Sequence, residues 1–197
     1  MTIFKSIDYN LREVSALATD TNSGEYLWVA FKQNSDGDCI VKKVSAHDVS
    51  AVYFSFELAV MEVTRIILSG STYVLLAVND DTNYIYRYGL FTPLTTETAF
   101  TKPVGLTEYP VDVASGGGFF WWLFPGTDDG ENAAIVKTTD DGTFSETIDL
   151  SISGDIVYDA TGITYKSGDL WIVTNSNPVQ LWRVYKDSTW HANKTDL

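Results

Sequence analysis

TGITYKSGDLWIVTNSNPVQLWRVYK, Thr161 to Lys186, reads as three short strands. Gly162-Ile163-Thr164-Tyr165 alternates, Ser167-Gly168 turns the chain, and Leu170-Trp171-Ile172-Val173 runs apolar. A polar loop then holds Pro178, and Leu181-Trp182-Arg183-Val184 closes the unit. Three of its features recur upstream in the same order. A Ser-Gly pair stands at Ser23-Gly24, Ser69-Gly70, Ser115-Gly116 and Ser167-Gly168. An apolar strand follows: Leu27-Trp28-Val29, Val74-Leu75-Leu76, Phe120-Trp121-Trp122 and Leu170-Trp171-Ile172. A further strand then ends in a base: Ile40-Val41-Lys42, Ile85-Tyr86-Arg87, Ile135-Val136-Lys137 and Leu181-Trp182-Arg183. A Ser-Gly turn alone is common, but three markers in one order four times define an internal repeat.

A period of about 40 to 50 residues with four strands per unit is the pattern of a propeller blade. The expected fold is therefore all-β, a β-propeller of four blades of four antiparallel strands in one domain over residues 1–197. The blades fall at about 12–59, 61–102, 108–150 and 158–197. Their fourth strands are Val52 to Leu58, a segment near Thr98 to Thr101, Thr143 to Leu150, and Thr189 to Leu197. Ile3 to Tyr9 resembles Phe144 to Leu150 and reads as a spare outer strand.

Hydrophobic residues make up 45% of the 197, and aromatic ones 14%, enough to fold around a core. The net charge of −13 argues against nucleic acid and anionic membrane surfaces, which need a basic footprint. No stretch approaches the roughly 20 apolar residues that span a bilayer. Met1 to Asn10 has no apolar signal-peptide core, so ordinary secretion is not expected unless a leader was removed. A single cysteine, Cys39, rules out an intrachain disulfide.

Two constellations of acids stand out. Glu13, Glu62, Glu108 and Asp159 each precede an innermost strand, so they would ring the channel mouth. Four carboxylates so placed repel one another unless solvated, protonated or bridged by a cation, and Ca²⁺ is the ion their oxygens suit. The competing reading is acidic loop ends pointing into water. Asp36, Asp38, Asp80, Asp81, Asp128, Asp129 and Glu131 occupy the loops between second and third strands, which would share one face with the blade connections. Gln33 to Asp38 resembles part of a calcium loop but lacks its bidentate glutamate.

The tryptophans could stack on sugars, but Trp28, Trp121, Trp122, Trp171 and Trp182 fall in strands and read as core. Trp190, nearer an edge, is the better candidate for exposure. The in-register bases Lys42, Arg87, Lys137 and Arg183 read as structural, stems on apolar surface and charges toward acids or water. His47 and His191 are the only histidines, and no serine sits in a nucleophile-elbow motif. The chain therefore reads as non-catalytic.

Gly162 to Tyr165 with Ser167 to Val173 and Leu181 to Val184 resembles the blade pattern of NHL-type and lactonase-type propellers. The resemblance is good over the fourth blade and faint over the others, and it implies the fold. Lactonase-type enzymes are six-bladed and hold a metal at the channel mouth with acid and amide ligands. No such ligand set aligns here, so their activity is not carried over. Loops rich in Thr, Ser and Asn with few bases give a profile similar to phage or viral structural proteins.

The first functional expectation is a non-catalytic module of assembly or attachment, a virion component whose partners are other protein subunits or copies of itself. The expected location is a virion, or the cytoplasm before assembly. A glycan-binding, receptor-recognising lectin is the second. A metal-dependent hydrolase at the channel mouth is the third.

Overall fold

The computed structural model describes residues 13–19, 24–32, 38–48, 50–69, 72–90, 97–126, 132–151 and 157–196. The proposed outer strand Ile3 to Tyr9, and Asp36, Asp128, Asp129 and Glu131, lie outside these residues. The described residues form sixteen strands in four meanders. Sheet 1 holds β1 (Val14–Thr19), β2 (Tyr26–Phe31), β3 (Cys39–Ser45) and β4 (Val52–Leu58). Sheet 2 holds β5 (Glu62–Ser69), β6 (Tyr73–Asn79), β7 (Asn83–Gly89) and β8 (Glu97–Thr101). Sheet 3 holds β9 (Asp112–Gly116), β10 (Phe119–Phe124), β11 (Ala134–Thr139) and β12 (Phe144–Asp149). Sheet 4 holds β13 (Ala160–Lys166), β14 (Asp169–Thr174), β15 (Gln180–Lys186) and β16 (Trp190–Asp196). Every sheet is antiparallel in simple order, the four-stranded blade of a propeller.

Period-2 alternation sends each blade's apolar residues to two faces, and both faces are used inside the stack. Trp28, Ala30 and Val41 of sheet 1 pack on Val74, Leu76 and Val78 of sheet 2. Leu75, Ala77 and Ile85 on the opposite face of sheet 2 pack on Phe120, Trp122 and Phe124 of sheet 3. Trp121, Leu123 and Ile135 of sheet 3 pack on Leu170, Ile172 and Trp182 of sheet 4. The innermost strands leave an apolar cavity of about 420 Å³, lined by residues such as Leu17, Ile66, Leu68 and Phe120.

Strand register settles the repeat and shifts two of its markers. Trp28 pairs with Lys43, Leu75 with Arg87, Trp121 with Lys137 and Trp171 with Arg183. The base of the first blade is thus Lys43, not Lys42. Lys42 lies opposite Val29 on the other face. The second shift concerns the third blade's turn. It is built by Gly117 and Gly118, at φ 65 and 80, while Ser115 and Gly116 belong to β9. Ser167 and Gly168 do make the turn of the fourth blade, at φ 55 and 96, the left-handed pair that a two-residue hairpin requires.

The in-register bases lie on aromatic rings and reach acids. Lys43 Nζ is 4.3 Å from the Tyr26 centroid, and Lys137 Nζ is 4.0 Å from that of Phe119. Lys137 pairs with Glu146 at 3.1 Å. Arg87 sits 5.0 Å from the Tyr73 ring and 5.4 Å from that of Phe100. From there it crosses to sheet 3, with Nη1 3.2 Å from Asp141 Oδ2 and donating to the Asp141 carbonyl at 2.7 Å. In sheet 4 the aromatic position is taken by Asp169, which holds Arg183 at 2.7 Å.

Asp141 accepts hydrogen bonds from the Thr139 hydroxyl and the Thr143 N–H. These bonds, helped by the Arg87 charge, lower its pKa to about 2. Because the folded value is depressed, the stabilisation is present above the unfolded carboxyl's value near 3.9 and is lost as pH falls toward about 2. The carboxylate is 42% exposed, so the contribution is screened to roughly 1 kcal/mol or less. Urea titrations of wild type and Asp141→Asn are expected to converge across that window. Parallel curves from pH 5 to pH 2 would show that Asp141 has no such role.

Candidate functional site

The four predicted channel-mouth acids do not come together as one set. Glu13, just before β1, and Glu62, the first residue of β5, both approach Lys32 at the end of β2. Their carboxylates stand 3.1 and 3.6 Å from its Nζ. The hydrogen bond that Lys32 donates to Glu13 and the charge of Glu62 raise the Lys32 pKa. A lysine thus supplies here the positive charge that a cation would bring.

Glu108 lies in the connection from sheet 2 to sheet 3, because β9 begins only at Asp112. Asp159 occupies left-handed backbone at φ 55 before β13, and its carbonyl accepts the Asn175 N–H at 2.8 Å. Among the described residues no group of three or more His, Cys, Asp or Glu side chains is placed to hold a metal ion.

The acid that joins three blades at their inner edges is Asp112, which the Ser-Gly spacing passed over. Its Oδ1 accepts from Arg65 Nε at 3.1 Å, and its Oδ2 accepts from the Ile163 backbone N–H at 2.9 Å. One carboxylate therefore links sheets 2, 3 and 4 at their inner edges. Beside it the buried Thr64 hydroxyl donates to the Pro110 carbonyl at 2.7 Å. The available signal was the alternation of Val111 to Ala114, which places the first strand four residues beyond Glu108.

On the loop face, Val104 to Glu108 folds over the ends of β10, β11 and β12 and encloses a cavity of about 240 Å³. Leu106 and Phe124 form its apolar wall, and Glu108, Asn132, Thr147 and Asp149 its polar lining. The Asn132 Oδ1 is buried without a hydrogen-bond donor. A blade connection and a second-to-third-strand loop do share this face.

Of the other loop acids, Asp80 is held by its own loop. Asp80 accepts the N–H groups of Thr82 and Asn83 and the Tyr86 hydroxyl, at 2.7, 3.2 and 3.0 Å. Burial opposes ionisation of Asp80, but those donors outweigh it and hold the pKa below the usual carboxylate value. Asp38 is half-buried before β3, and Asp81 is exposed.

Trp28, Trp121, Trp122 and Trp182 are core residues, whereas Trp171, also expected in the core, is half-buried because no sheet stands against its face of β14. Trp190 is not an exposed platform. It is half-buried edge-on to Trp121 at 5.9 Å, with Nε1 donating to Glu146. His191 sits against Asp187 at 3.0 Å and stacks on Tyr185, while His47 is exposed in the β3–β4 turn.

The sequence matches no protein-family model and no curated protein. The fold is similar to that in the crystal structure of the computationally designed Ika4 protein. The TM-score is 0.56 at 13% identity, over 90% of this chain and 94% of that one.

Proposed function

We propose that this chain is a non-catalytic assembly module, one protein subunit of a larger particle such as a virion. The observation that carries the reading is the state of the two end blades. Leu17 on sheet 1 is 60% exposed, and Trp171, Val173 and Leu181 on sheet 4 are half-buried, although these strands are as apolar as the buried ones. Apolar sheet faces left partly open are surfaces for other protein. The acidic balance keeps such a building block soluble before it assembles. The likeness of the fourth blade to NHL-type propellers fits a repeat scaffold that works through its surfaces. Sedimentation velocity from low to high micromolar concentration is expected to show association. Loss of that association in Leu17→Asp would assign it to the end face, and a species unchanged by concentration and substitution would refute the reading.

A second reading, glycan binding, is favoured by the 240 Å³ cavity, where Leu106 and Phe124 face Glu108, Asp149 and the unpartnered Asn132 Oδ1. A pocket rich in acceptors suits a ligand rich in hydroxyl donors. A glycan array with no signal for wild type, or equal signal for Glu108→Gln, would remove it.

A further inference from the structure

The repeat gives every position three counterparts, so burial can be compared at equivalent sites. The positions facing the following blade are Trp28 and Ala30, Leu75 and Ala77, Trp121 and Leu123, and Trp171 and Val173. The first three pairs are between 0% and 5% exposed. Trp171 and Val173 alone remain half-buried. Toward the preceding blade, Ile66 is 6% and Ile163 is 8% exposed and Val113 is half-buried, whereas Leu17 at the same register is 60% exposed. Leu27 and Val29 are half-buried, where Val74 and Leu76 are fully covered. Among the described residues, each hydrophobic cluster joins consecutive sheets, 1 with 2, 2 with 3 and 3 with 4, and none holds residues of both sheet 4 and sheet 1.

The three internal junctions show what covers such a face: the opposite face of the next blade. We propose that a second copy of this chain supplies it. Sheet 4 of each copy packs on sheet 1 of the other, and a twofold axis closes a ring of eight blades. This rests on the assembly reading above and names its partner.

Two arguments select two copies. A head-to-tail contact ends only where its rotation closes, and propellers close at about four to eight blades. Four-blade chains reach that range as one copy or as two, and one copy leaves these faces open.

Charge agrees. Arg87 crosses to Asp141, the turn acid of the next blade, whose side chain also accepts the N–H two residues on. In sheet 1 the corresponding turn acid is Asp48, which accepts the Ser50 N–H at 3.1 Å. Arg183 holds the Arg87 register on the open end of sheet 4. The proposed junction therefore sets Arg183 of one copy beside Asp48 of the other.

Light scattering coupled to size exclusion tests this on the full chain, with circular dichroism confirming folded variants. Wild type is expected at twice the chain mass. Leu17→Asp and Trp171→Asp are expected to lose the dimer while keeping the β spectrum. Arg183→Asp is expected to weaken it at least tenfold, and Asp48→Arg in the same chain to restore it. A wild-type monomer at all concentrations, including one closed within a single chain, overturns both this proposal and the assembly reading. A species of more than two copies that the end-face variants dissolve overturns the eight-blade ring and leaves the assembly reading intact. A dimer insensitive to both end-face variants overturns both, since its contact lies elsewhere.

Discussion

Trp122→Ala is expected to destabilise the protein by about 3–5 kcal/mol, the usual cost of truncating a fully buried tryptophan. Trp122 is 0% exposed in the cluster between sheets 2 and 3, and its Nε1 donates to the Thr138 hydroxyl at 2.9 Å. Thr138 is itself 0% exposed, so truncation also strands a hydroxyl in an apolar interface, a penalty of about 1–3 kcal/mol when no water reaches it. Trp122→Phe keeps a six-membered ring in place and loses the donor and the rest of the indole, so its loss should be the smaller of the two. Urea denaturation with an unchanged slope reads the difference directly. An alanine variant within about 1 kcal/mol of wild type would mean that sheets 2 and 3 do not pack through Trp122.

Gly116→Ala is expected to cost about 1–3 kcal/mol, as overpacking of a filled interface does. A Cβ built on Gly116 would fall inside the Tyr165 ring, which lies across the end of β9 and stacks on Trp121 at 6.2 Å and 10°. Gly116 is not in left-handed backbone, so close approach and not conformational freedom demands the glycine. Tyr165→Ala removes the obstacle. In that background Gly116→Ala should cost little, which a double-mutant cycle would register as strong coupling. Additive losses would show that the ring and the glycine do not share this space.

The candidate site was the less legible half. Alternation and turn residues are local signals, and they carried the blade order and four of the five tryptophans read as core, Trp171 being half-buried. They could not separate Lys42 from Lys43, because two adjacent bases satisfy the same pattern and only pairing with Trp28 chooses between them. Glu108 misled for a related reason. Spacing counted back from a turn, but the first strand of that blade is shorter, and Asp112 bonds across the junction that Glu108 was expected to edge.

What the sequence determined by itself is the four-fold β repeat, since each blade's strands pair with near neighbours and their signals are written within about 50 residues. The covering of each face was decided only by tertiary structure. Leu17 and Ile66 are interchangeable in a one-dimensional pattern, yet one is exposed and the other buried, because burial depends on whether another sheet stands opposite.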